Sequence, residues 1–277
     1  MRDKLRCSHK GSTVSFRSSV TIVSTADDTP VLLGGDAVAE LPDGSMEFPG
    51  WGTFPVARSR YSVSGVAATV EFADRGEGRC AIRLQVTNTG GQPVRLRRLT
   101  PVSVVPGSLC LGEAPVSDWT YFRQPRKKND MPAAIRLGDT RPGVMDAVRG
   151  TPETGGTPPG GWDGEAPDRF ISSEATVLNG GDSALLLGVF PADRQLVTCE
   201  LRVSPGRDRV MKLDVHCECD DQELIPGASI VSQWVLIDLT CSPLEALTSY
   251  AQMLAEHYHD PNADRPGDRP PTVWCSW

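Results

Sequence analysis

Apolar and polar residues alternate with a period of two along much of this chain: Val14, Phe16, Val20 and Ile22, then Val70 and Phe72, then Ile82, Leu84 and Val86, then Val94 and Leu96. That period sends successive side chains to opposite faces of an extended backbone, so these runs predict half-buried antiparallel strands. Further strands are expected over residues 174–177, 185–190, 195–203, 210–216 and 230–237. Asn88-Thr89-Gly90-Gly91 tolerates positive φ and predicts a hairpin between the runs on either side; Asn179-Gly180-Gly181-Asp182 is a second such turn.

The alternation stops from Thr140 to Asp168, where glycine, proline and charge take over and Trp162 is the one large aromatic. A connection that long is either functional or without fixed structure. Helical spacing is secure in one place. Ser242-Pro243-Leu244-Glu245 supplies an N-cap, a proline at the first helical position and a glutamate at the third, which predicts a capping box. Leu244, Leu247, Ala251, Leu254 and Tyr258 then predict the apolar stripe of a helix that ends near His259, before Asp260-Pro261.

Composition narrows the class. Glycine (27) and proline (23) are frequent among 277 residues, which favours many turns and few long helices, and so an all-β fold. A net charge of −7 disfavours nucleic acid or an anionic membrane as partner and fits a neutral ligand better. The first sixteen residues lack an apolar run after their basic residues, and no segment reaches the length of a membrane span, so a soluble, cytoplasmic protein with its eight cysteines reduced is expected. No cofactor is implied. His216-Cys217-Glu218-Cys219 offers metal-ligand types, but alternation along a strand sends its histidine and thiols to opposite faces; buried thiols on an edge strand are the simpler expectation, with no metal.

Three segments resemble glycoside hydrolase family 36, the α-galactosidases. They are the terminal Pro271-Thr272-Val273-Trp274-Cys275-Ser276-Trp277, the helix from Ser242 through Ala251, and Asp118-Trp119-Thr120-Tyr121-Phe122-Arg123-Gln124. The resemblance implies a large antiparallel β-supersandwich over residues 1–241, a connecting helix over 242–260, a linker over 261–272, and the first strand of a (β/α)8 catalytic barrel at 273–277, where the chain stops. It implies that Trp277 and Trp119, with Asp118 beside it, contribute to a sugar subsite, where an aromatic face stacks on the apolar face of galactose. Its reaction is retaining hydrolysis of terminal α-galactosides by two aspartates on later barrel strands, so no catalytic residue is expected within this chain and the chain alone should be inactive. Its partners would be the sugar, the barrel and further copies of the protein. Two departures leave the sugar open: Val273 stands where the family commonly has glycine, and Tyr121-Phe122 where a second tryptophan is usual. The rival readings are a stand-alone carbohydrate-binding β-sandwich, using Trp119, Tyr121 and Trp162, and an oligomerisation domain.

Overall fold

A computed structural model describes residues 5–22, 30–32, 38–40, 44–63, 65–124, 132–139, 168–192, 195–239 and 242–259. Trp277 with the rest of the terminal segment, the 261–272 linker, Trp162 and all of the 140–168 loop but Asp168 lie outside the described residues.

The strands form two antiparallel sheets. The smaller runs in the order β1 (Leu5–His9), β2 (Ser12–Ile22), β9 (Val94–Val104), β16 (Val210–Leu224), β15 (Val197–Val203) and β12 (Arg169–Ser173), with β3 (Pro30–Leu32) also on β2. The larger runs β11 (Ala133–Arg136), β10 (Thr120–Arg123), β13 (Ala175–Asn179), β14 (Ala184–Phe190), β18 (Trp234–Asp238), β8 (Arg79–Asn88), β7 (Val66–Gly76), β6 (Gly52–Val63) and β4 (Val38–Glu40). On it, β17 (Ser229–Val231) pairs with β8 and β5 (Ser45–Phe48) with β6. Tight hairpins arise where a residue tolerant of positive φ precedes glycine: Lys10-Gly11 joins β1 to β2 and Glu77-Gly78 joins β7 to β8, all four with φ between 43° and 86°.

The Asn179 turn joins β13 to β14 as a hairpin, but the Asn88 turn does not join a hairpin. β8 pairs with β7, β17 and β18 in the larger sheet, whereas β9 pairs with β2 and β16 in the smaller. The segment is an arch between sheets. Asn88 holds it there, its side-chain amide donating to the Gln92 and Leu224 carbonyls at 2.8 Å while its Oδ1 accepts from Gly90 N–H at 2.9 Å. Two apolar strand faces are buried equally well by stacking across a core as by lying side by side, so alternation alone does not choose between them.

The main core fills the space between the sheets. Phe16, Leu99, Leu201 and Val215 from one side meet Val70, Ile82, Leu185 and Val235 from the other, and the Phe16 and Phe72 rings lie 6.3 Å apart. Tyr121 ties the layers together by donating from β10 to the Cys199 carbonyl of β15 at 3.0 Å. A second cluster covers the opposite face of the larger sheet. Phe48 stands at its centre, edge-on to Phe54, Phe190 and Trp234 at 5.1 to 5.8 Å.

Helix α1 (Pro243–His257) lies on that second cluster. Its capping box is formed as expected: Glu245 N–H donates to Ser242 Oγ, and Ser242 N–H donates back to the Glu245 carboxylate at 3.2 Å. The buried stripe is Ala246, Tyr250 and Met253, flanked by Leu247 and Leu254, rather than the one expected from Leu244, Ala251 and Tyr258. Leu244 is 76% exposed. The stripe is set by Tyr250, whose hydroxyl donates to the Val189 carbonyl at 2.8 Å and accepts from Val189 N–H at 3.2 Å. Its ring occupies the space over Gly188, where a Cβ would stand 2.7 Å from it. Trp51 completes the seat, its indole N–H donating to Ser249 Oγ at 2.8 Å. Replacing Ser242 by alanine removes the hydroxyl that caps Glu245 N–H and should lower stability by about 1 kcal/mol, measurable as a shift in the urea midpoint without a change in slope.

Candidate functional site

Asp118 and Trp119 sit where a single 3-10 turn, Val116–Asp118, leads into β10. The turn is held by backbone bonds from Asp118 N–H to the Pro115 carbonyl at 2.8 Å and from Trp119 N–H to the Val116 carbonyl at 3.1 Å. The end of β11 then folds back on it: Leu137 N–H donates to the Trp119 carbonyl and Gly138 N–H to the Ser117 carbonyl, each at 2.8 Å. Gly138 is required at this crossing, because a Cβ there would run into the Ser117 carbonyl.

The two side chains part company at this point. Trp119 turns inward, 3% exposed, into the core that holds Leu111, Tyr121 and Leu137, and its indole N–H donates to the Ala114 carbonyl at 2.9 Å. Its ring offers no open face for a sugar to stack on. Asp118 turns outward, its side chain 47% exposed, and pairs with Arg136 of β11, whose pKa its hydrogen bond pushes up. Of the three residues expected at a subsite, Asp118 is therefore reachable from solvent, Trp119 is packed inside, and Trp277 lies outside the described residues.

The same end of the sandwich carries a cleft of about 130 Å³ between the loops after β9 and β15, lined by Val104, Pro106, Leu109, Val116, Arg209 and Lys212 among others. Ligand pockets for small molecules usually measure about 300 to 1,000 Å³, so this cleft is too small to enclose a sugar by itself. Arg207 reaches from the β15–β16 turn to the Leu137 and Asp139 carbonyls and stitches that turn to the end of β11.

Lys212 links this cleft to a charge cluster on the solvent side of the smaller sheet. Glu200, only 5% exposed, receives Arg169 Nε at 2.9 Å, Arg202 Nε at 2.8 Å and Lys212 Nζ at 3.1 Å. Burial pushes the Glu200 carboxyl up, but His216, Arg202, Arg169 and Lys212 together outweigh it and hold the group well below the usual carboxylate range. His216 Nε2 stands 3.6 Å from Glu200 Oε2. Sequence reasoning missed the cluster. Its trace was Glu200 and Arg202, with Lys212, Asp214 and His216, at alternate positions of two runs already expected to be strands.

The thiols point the other way from His216, as alternation required. Cys217 and Cys219 lie in the core, where burial pushes both up to about 12 and Cys199 higher still. Thiols so buried are poor nucleophiles and poor metal ligands. Their strand is central rather than an edge, β16 being paired with β9 on one side and β15 on the other. The strand is simply longer than its apolar run, extending eight residues past His216 to Leu224. Among the described residues no group of three or more His, Cys, Asp or Glu is placed to hold a metal ion, and no helix is long and apolar enough to cross a membrane.

A scan against protein families finds no matching family, and a search of curated proteins finds no relative by sequence. Solved structures do match. Two α-galactosidases of glycoside hydrolase family 36 from Geobacillus stearothermophilus are similar over 86% of this chain at 11% identity, each with a TM-score of 0.51: an AgaA variant in complex with 1-deoxygalactonojirimycin, and AgaB. A further AgaA variant, in complex with raffinose, matches over 86% at 10% identity with a TM-score of 0.50. This chain spans about a third of the length of those enzymes, 32% and 31% for the first two. The chain thus has an all-β sandwich fold that also forms about a third of the α-galactosidases of glycoside hydrolase family 36.

Proposed function

We propose that this chain is the N-terminal, non-catalytic sandwich of an α-galactosidase-like retaining glycoside hydrolase acting on terminal α-linked galactosides. The observation that carries the reading is agreement between two independent signals. The fold matches family 36 enzymes over 86% of the chain while spanning 32% of their length, and residues 271–277 resemble the first strand of their barrel. In this reading Asp118, on the surface at the loop end of the sandwich, and Trp277, at the start of the barrel, contribute to the sugar subsite. Trp119 lies one step back, as a core residue behind a turn that backbone hydrogen bonds hold in place.

Retaining hydrolysis needs a nucleophilic carboxylate and an acid/base carboxylate about 5 to 5.5 Å apart across the glycosidic bond. Barrel active sites place such groups at the carboxyl ends of barrel strands. A polypeptide in which this sandwich is followed by its barrel should release nitrophenol from p-nitrophenyl α-galactoside, and the 277-residue chain alone should release none. Hydrolysis by the isolated chain that disappears when one of its own acids is replaced would overturn the proposal.

A further inference from the structure

Two thiols from opposite sheets meet inside the main core. Cys7 is the one buried position of β1, where it sits opposite Val14 of β2 in the smaller sheet. Cys80 lies near the start of β8 in the larger sheet, opposite Asp74 of β7 and Ile237 of β18. Cys7 is 5% exposed and Cys80 0%, and both belong to the cluster between the sheets. The stacking of the two faces brings them together. Phe16 meets Phe72 across the core; Phe16 stands two residues from Val14, and Phe72 pairs with Ile82, two residues from Cys80. One step along the same faces leads from that ring contact to the two thiols, which share a hydrogen bond.

The other described cysteines are not so placed. Cys199 pairs with Val215 and Cys217 with Val197, so these two are diagonal neighbours on adjacent strands of one sheet. Diagonal Cβ atoms stand about 7 Å apart, whereas a disulfide needs about 3.5 to 4.5 Å. Cys217 and Cys219 follow one another on one face of β16, roughly 6.5 Å apart along the strand. Cys110 is exposed.

Burial pushes the Cys80 thiol well up, and its bond to Cys7 adds to this, so the pair is unreactive while the sandwich is closed. The edge of the sheet supplies an opening. β1 is five residues long, stands outermost in the smaller sheet, and pairs with β2 alone among the described residues. Short edge segments open locally at much lower cost than the whole domain, and the opening of β1 carries Cys7 to water.

We propose that Cys7 and Cys80 form a redox site, oxidised by a low-molecular-weight disulfide to a cross-sheet disulfide that locks β1 onto the larger sheet. Cys7, deprotonated while β1 is open, attacks one sulfur of the reagent; the reagent's S–S bond breaks and one reagent thiolate leaves. As β1 recloses, Cys80 loses its proton and attacks the Cys7 sulfur of the mixed disulfide, and the second reagent thiolate leaves. The two protein thiols are oxidised, the reagent is reduced to two thiols, and the protons lost by Cys7 and Cys80 end on those thiols. The site is separate from Asp118 and Trp119 and stands whether or not the chain belongs to a glycosidase.

The test is incubation of the native 277-residue chain with oxidised glutathione, then alkylation of the remaining thiols with N-ethylmaleimide in urea and mass spectrometry of the unreduced digest. A peptide pair joined through Cys7 and Cys80, and absent after dithiothreitol, is expected. The closed loop spans on the order of 70 residues, so oxidation should lower the unfolded fraction by roughly a hundred- to a thousandfold, read as a higher urea midpoint. The backbone amides of Leu5–His9 should exchange with deuterium about tenfold more slowly in the oxidised form. In Cys7→Ala the reagent should leave both the midpoint and those amides where they were. Recovery of Cys7 and Cys80 as alkylated thiols, their pairing only with other cysteines or with glutathione, or a cross-linked protein with an unchanged midpoint would each overturn the proposal. The peptide pair is read on the native sequence, so the outcome stands even should Cys7→Ala fail to fold.

Discussion

Replacing Trp119 by alanine should lower the stability of this sandwich by about 3 to 5 kcal/mol, the range for deleting a large buried aromatic. The ring is 3% exposed, packs with Leu111, Tyr121 and Leu137, and donates its N–H to the Ala114 carbonyl. Truncation therefore leaves both a cavity and a partly buried carbonyl without its donor. The midpoint of urea unfolding measures the loss directly. In a polypeptide that also carries a catalytic barrel, the variant retained in folded form should keep nearly normal kcat/KM. A stable Trp119→Ala protein with kcat/KM reduced by roughly tenfold to a hundredfold would instead return the ring to the sugar subsite, since that is the effect of losing one stacking contact.

The second large effect is expected at Glu200. Glu200→Ala leaves Arg169, Arg202 and Lys212 crowded together without the carboxylate they share. Removing one partner from a fully buried ion pair costs about 3 to 5 kcal/mol, and exposed pairs contribute at most about 1. The cations here are 31% to 46% exposed while the carboxylate is 5% exposed, which places the loss at roughly 2 to 3 kcal/mol. The pH dependence has a definite sign. The folded-state pKa of Glu200 is depressed, so its contribution is fully present above the unfolded glutamate pKa of about 4.3 and is lost as pH falls through the folded value. The gap in stability between the native protein and Glu200→Ala should be constant near neutrality and close below about pH 4. A gap that persists unchanged to pH 2 would show that the carboxylate is not held in its charged form by these partners.

Much of the architecture could be read from residue pattern, and the failures share one cause. Strand runs, the 179–182 hairpin and the Ser242 capping box are local: each is decided by residues within a few positions of one another, and each is present, except that the 230–237 run is broken at Ser232-Gln233 into β17 and β18. The Asn88 turn, the phase of the helix stripe and the place of β16 in its sheet depend on partners far along the chain. Asn88 bonds to Leu224, Tyr250 to Val189, and β16 pairs with strands on both sides. Site reasoning failed in the same way. Asp118-Trp119 was recognisable as a pair, but which of the two faces solvent is settled by the end of β11 folding back through Leu137 and Gly138. The charge cluster needed the register Glu200↔Asp214 between β15 and β16, which no periodicity within either strand contains.

The seating of α1 fixes more than a patch of apolar surface. Because the Tyr250 ring drops into a gap that exists only where Gly188 has no side chain, the helix is keyed against rotation and against sliding. Turning it by one residue, about 100°, would lift that ring out of its slot. The keyed ring therefore also sets the bearing and height of the helix's far end, at His257. Gly188 and Tyr250 thus work as a mechanical index between the larger sheet and α1, and a bulkier residue at 188 would be felt first as a displaced helix.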